Sequence, residues 1–153
     1  MITISISDEV RSHIARHFNE RELGSLFEHS SPEAFLIKAI AAFPDTFRLA
    51  KPDPDGRIRL SLQFQEPVGY SAVVALDDLT PEERSSIVVS ERDGYPVGVL
   101  RSSRRIPTTE AQIILSSDYS LITLFPGPLA PPLPTSPSES CPFWKNHVFV
   151  ESV

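Results

Sequence analysis

A single cysteine, Cys141, stands in a chain of 153 residues, so no internal disulfide holds the fold together, and a reducing compartment is the expected setting. No apolar run approaches the roughly 20 residues that cross a bilayer. The opening MITISISDEV alternates instead of placing a basic segment before an apolar one, so no targeting segment or membrane partner is expected, and the cytoplasm is the expected location. Positive charge is also scarce. Fourteen Lys and Arg against twenty Asp and Glu give a formal −6, and the pI is near 5.2. That balance argues against broad nonspecific nucleic-acid binding, while leaving room for a local basic cleft on an acidic body. No cofactor fingerprint is present. His13 and His17 lie one helical turn apart, but there is no HExxH, and no Cys, Asp or Glu is evidently placed to complete a zinc site. Neither a cofactor nor a metal is expected.

What is present suits one soluble domain. Apolar residues make up 41% and charged residues 22%, enough to bury a core. Ile2, Ile4 and Ile6 alternate with Thr3 and Ser5, the period-2 mark of a short strand. Ser7 is an N-cap with Asp8 and Glu9 behind it, and Val10, Ile14 and Phe18 form one apolar stripe of a first helix that Gly24 interrupts. Ser31-Pro32-Glu33 opens a second helix through roughly Phe43, apolar nearly all round and expected to lie against a sheet with little exposed.

Pro44 closes that helix, and β signals follow. Strands are expected at Thr46–Lys51 and Arg57–Phe64 around PDPDG, with Ile58, Leu60, Leu62 and Phe64 on one face, and again at Tyr70–Leu76. Thr80-Pro81-Glu82-Glu83 has capping-box spacing and starts a short helix. Asp93-Gly94 joins Ile87–Arg92 to Tyr95–Leu100 as a hairpin, with Pro96 marking an edge or bulge. Thr109–Leu115 and Leu121–Phe125 continue a meander across the Ser116–Ser120 turn. Seven of the fifteen prolines fall in Pro126–Pro142. That stretch reads as a stiff surface loop, or, at Pro128–Pro134, as a ligand for a proline-recognising domain. Phe143 and Trp144 anchor the return, and His147–Val150 adds one more strand. The expected class is α+β in one domain, 1–153. It has a helical part (1–45), an antiparallel sheet packed on one face by the helices (46–127), the loop (128–142) and a C-terminal strand (143–153).

Three groups offer chemistry. Arg101, Arg104 and Arg105 occupy a serine-containing turn, and guanidinium forks suit phosphate oxygens; the plain alternative is a solvated turn. Thr108, Thr109 and Thr123 are hydroxyls on the adjoining strands, with Thr109 and Thr123 expected to approach each other, although threonine is also simply a good strand residue. His147 is a candidate general acid or base. One of His13, His17 or His29 facing the cleft would make a second such group. Tyr70 and Tyr119 are candidate stacking surfaces for a base.

The order of these elements resembles the barnase–EndoU–colicin–RelE-type ribonuclease fold, which includes toxin-like members. The likeness lies in N-terminal helices, a meander, an Arg/Thr turn and the strand signature Thr123-Leu124-Phe125-Pro126-Gly127, preceded by PTTEAQIIL. It covers roughly Ile87–Gly127 and His147. The resemblance implies a metal-independent hydrolase acting on RNA, with Arg104 or Arg105 clamping the phosphate, Thr109 and Thr123 as hydrogen-bonding neighbours, and His147 moving a proton. Three departures stand beside it: the chain is acidic, leucine follows Thr123 where a small residue is more familiar, and the sequence offers no evident partner for His147. The contrasting expectation is a non-catalytic, immunity-type or adaptor protein presenting Asp77, Asp78, Glu82 and Glu83 to a basic cognate partner.

Overall fold

The structure, a computed structural model, describes residues 3–19, 25–29 and 31–152. Caps set the helices. Ser7 Oγ accepts a hydrogen bond from the Val10 N–H at 3.2 Å and opens α1, Asp8–Ile14, which a 3-10 turn, Ala15–Phe18, extends. After β1, Leu26–Phe27, Ser31 Oγ accepts from the Ala34 N–H at 3.2 Å and opens α2, Pro32–Ala42. Helix α2 buries Phe35, Leu36 and Ala39 but leaves Ile37 71% exposed, so it is one-sided and not covered all round as its composition suggests. Pro44 is also the first residue of a further helix, α3, Pro44–Leu49, where a strand is expected. The reason is local. Proline at N1, Asp45 in the first turn and an Asp45–Arg48 pair (2.9 Å) favour helix, and the one buried residue, Phe47, needs no alternation.

The remaining strands are β2, Ile58–Gln63; β3, Gly69–Tyr70; β4, Val73–Ala75; β5, Val88–Arg92; β6, Tyr95–Ser102; β7, Pro107–Thr108; β8, Glu110–Leu115; β9, Leu121–Pro126; and β10, His147–Ser152. The chain is α+β with mainly antiparallel pairing. Its strands divide among three sheets instead of forming one meander: β2-β8-β9, β4-β10-β6-β5 and β1-β3-β7. In the first, the in–out alternation of β2 puts Ile58, Leu60 and Leu62 into a core with Ile113, Leu115 and Leu124, Phe35 and Phe47. In the second, Asp93 and Gly94 both take positive φ (+51° and +79°), as a two-residue hairpin turn requires, and β10 enters between β4 (antiparallel) and β6 (parallel, Phe149 opposite Val99). Pro96 lies in β6 ahead of the point where β10 begins to pair, so its missing N–H disrupts no ladder there.

The expected strand Tyr70–Leu76 is split. Ser71, buried at the corner, accepts from the Val73 N–H (3.1 Å) and donates to the Val73 carbonyl (2.5 Å), a local turn that sends β3 and β4 into different sheets. The N-terminal strand reduces to one parallel bridge, Ser5 with Ser120, while Ile2 and Gly24 lie outside the described residues. The Thr80/Glu83 capping box is present and opens α4, Pro81–Ser85. The proline-rich segment is irregular and lies across the second sheet, with Ala130 and Leu133 packed on Val97, Val99 and Trp144, and Glu139 accepting from the Tyr95 hydroxyl (2.8 Å). It ends in a short helix, α5, Pro142–Asn146, which buries Trp144. Among the described residues no helix is long and apolar enough to cross a membrane.

Gly127 closes β9 at φ +107°, and a Cβ there would collide with the Ser71 hydroxyl. Gly127→Ala is expected to destabilise the fold by about 1–3 kcal/mol, through the left-handed backbone and the loss of the Ser71 corner. Urea unfolding at constant slope checks this, and a midpoint equal to the parent's would contradict it.

Candidate functional site

The turn after β6 sends its arginines apart. Arg101, opposite Glu151 in the β6–β10 register, lies 3.7 Å from that carboxylate, which Arg92 also holds at 2.7 Å. Arg104 makes a two-pronged contact with Glu83, Nε to Oε2 at 2.9 Å and Nη2 to Oε1 at 2.8 Å. Arg105 lines a different cavity beside Tyr70. The three guanidinium groups therefore do not converge. Thr123 and Thr109 do not meet either. The turn at Ser116–Ser120 fixes Thr123 opposite Ile114 and Ala111 opposite Pro126, so Thr109, before Ala111, lies beyond the Pro126 end of the ladder.

Four of the expected residues do share one trough. A hollow of about 60 Å³ is lined by His147, Thr108, Ser71, Asp78 and Glu110. It shares Asp78, Pro107, Thr108 and Glu110 with a hollow of about 420 Å³, where Arg104, Thr109 and Gln63 join the wall. Thr123 lines neither. His147 begins β10, where its ring stacks flat on Phe143 (centroids 3.8 Å apart, planes at 5°) and its Nδ1 lies 2.8 Å from the Phe143 carbonyl. A carbonyl only accepts, so Nδ1 carries the hydrogen, and Nε2 is the nitrogen left for other partners.

Glu110 is the residue that the sequence reading missed. It begins β8, its N–H donates to Thr108 Oγ1 (3.2 Å), and its carbonyl accepts from the Gly127 N–H (2.7 Å). Its carboxylate accepts from Gln112 Nε2 (3.1 Å), and buried Gln112 is in turn fixed by the Gly127 carbonyl (3.1 Å) and the Ser61 hydroxyl (2.5 Å). The available signal was its place directly after Thr108-Thr109, one of two carboxylates in Arg101–Gly127. Across the trough, Gln63 Nε2 donates to Thr109 Oγ1. The Arg104 fork, with the Thr80 N–H, holds the Glu83 carboxyl down at about 2, and Glu83 raises Arg104 in return.

The larger cavity, about 890 Å³, is lined by Phe18, Phe27, Glu28, His29, Tyr70 and Arg105, with Leu26 and Ser103. Burial holds His29 below the ordinary imidazole range, Lys38 acting the same way and Glu28 and the Val68 carbonyl opposing. Buried His17 is lowered by burial; the Ser25 carbonyl, 2.9 Å from its Nδ1, opposes this, and the Arg16 charge adds to the lowering. The hydrogen bond and charge of Glu28 raise Tyr70.

The two depressed histidines fix the sign of a pH effect. Each is neutral in the fold and takes up a proton more readily when unfolded. Their contribution is complete above the unfolded value near 6.5 and is lost as pH falls below it toward the lower folded values. The urea midpoint is expected to fall between pH 7 and 5, and His17→Gln is expected to flatten that slope. A midpoint independent of pH over that window would contradict the assignment.

No family model, curated protein or solved structure matches this chain. The chemistry is therefore read from the residues alone. A carboxylate and an imidazole line one small hollow, each held by one hydrogen bond, and they are the two residue types that paired proton transfer uses. A guanidinium and two hydroxyls on the adjoining wall supply anion contacts, tempered by Glu83 and Asp78. Among the described residues no group of three or more His, Cys, Asp or Glu side chains is placed to hold a metal ion.

Proposed function

We propose that this protein is a metal-independent, toxin-type ribonuclease-like domain whose trough holds one RNA phosphate. The observation behind this reading is that Glu110 and His147 line the same hollow, next to Arg104, Thr108 and Thr109. Glu110 takes the proton of the 2′-hydroxyl as its oxygen attacks phosphorus. Protonated His147 gives a proton to the departing 5′-oxygen, leaving a 2′,3′-cyclic phosphate and a 5′-hydroxyl. Arg104 and the threonine hydroxyls stabilise the charge that gathers on the phosphoryl oxygens. Arg101, Arg105 and Thr123, placed elsewhere, have no part in this step.

The test is cleavage of single-stranded RNA with excess chelator, read as cyclic-phosphate ends. No cleavage by the unaltered protein at any concentration sinks the reading. Glu83→Gln sharpens it. Glutamine still completes the capping box with Thr80 but no longer neutralises Arg104, so tighter RNA binding with an intact fold is expected in a filter or anisotropy assay. Unchanged affinity would remove Arg104 from the phosphate.

A second reading, a non-catalytic protein binding a basic cognate partner, is favoured by one observation: Asp77, Asp78 and Glu82 are exposed together beside the neutralised Arg104. It predicts salt-sensitive capture of a basic partner that Asp77→Asn with Glu82→Gln abolishes.

A further inference from the structure

The geometry points to a second ligand site, separate from the trough: we propose that the cavity between Tyr70, Arg105 and His29 binds a phosphorylated nucleoside. At about 890 Å³ it is of the size that encloses small organic ligands, and no residue lines both it and the trough. Its walls differ in chemistry. Half-buried Phe18 and Tyr70 give it an aromatic side suited to a planar base, with Phe27 buried behind Phe18 (centroids 5.0 Å apart, planes at 21°). Arg105 and Ser103 lie on the same cavity, and a guanidinium fork with a neighbouring hydroxyl matches phosphate oxygens. Glu28, bonded to the Tyr70 side chain, offers an acceptor that selects a base bearing an amino group.

His29 closes the inner wall. Its ring stands edge-on to Phe27 and Phe35 (planes at 73° and 75°), and Nδ1 is enclosed without a hydrogen-bond partner among the described residues. The proposal concerns binding alone, and it stands whether or not the trough cleaves RNA.

Calorimetric titration of the full chain with AMP, CMP, UMP and inorganic phosphate tests it. Saturable binding of AMP or CMP, stronger than of UMP, is expected. Arg105→Ala is expected to weaken it at least about tenfold, with Arg105→Lys between the two. Glu28→Gln removes the preference over UMP, and His147→Ala leaves affinity unchanged. Absence of saturable binding overturns the proposal. So does inorganic phosphate binding as tightly as the nucleotides, or a His147→Ala effect as large as that of Arg105→Ala. Circular dichroism of each variant confirms that the fold is retained, and a variant that fails to fold is replaced by the lysine variant for the same comparison.

Discussion

His147→Ala is expected to lower RNA cleavage by about 10²- to 10⁴-fold, the range that a positioned acid or base supplies. The loss should fall on kcat, because in the proposed step Nε2 acts on the departing oxygen and not on the bound ground state. The substitution removes a ring stacked on Phe143 and a 2.8 Å contact with its carbonyl, so a modest drop in stability is expected as well. Trp144, buried three residues away, reports whether that region of the fold persists. Glu110→Gln provides the partner experiment. Glutamine still offers Gln112 an acceptor oxygen but takes no proton, so the same large loss is expected with little change in folding. Removing both groups should cost little more than removing one, since the proposed step uses them together. Cleavage within threefold of the parent in either single variant would dismiss that group from the chemistry.

The second large effect concerns stability. Phe35→Ala is expected to cost about 3–5 kcal/mol, a large share of the roughly 5–15 kcal/mol that holds a domain together. Phe35 has no exposed surface, and its ring meets Phe27 at 4.3 Å, His29 at 5.3 Å and Phe64 at 5.9 Å. Truncation leaves a void among rigid rings that have little freedom to collapse into it. Two positions along the same helix, Ile37→Ala should change stability by no more than about 0.5 kcal/mol, because that side chain is already in water. Urea midpoints for the two variants separate the cases. Equal losses would mean that α2 is turned differently from the orientation described.

What could be read from the sequence was whatever lies within a few residues. Ser7, Ser31 and Thr80 announce helices because a cap needs only its own first turn. Asp93-Gly94 announces a hairpin because both residues tolerate positive φ, and Ile58–Gln63 shows its alternation openly. Residues 46–49 misled because Thr46 and Phe47 favour strands singly, while proline at N1 and the Asp45–Arg48 pair decide the segment together. The division into three sheets was not legible, since it depends on the Ser71 corner and on a strand that arrives from far along the chain. The site divided on the same line. His147, Arg104, Thr108 and Thr109 share a trough, whereas consecutive arginines face different hollows, and neither that divergence nor the direction of Glu110 follows from spacing alone.

The position of β10 has a consequence for synthesis on the ribosome. This strand is interior to its sheet, so until residues 147–152 have been made, β4 and β6 each present an unfilled flank to other nascent chains. The insertion that fills them also brings His147 to the hollow that Glu110 lines. A polypeptide halted near residue 140 would be adhesive and would lack one wall of that hollow, and a single late step supplies both.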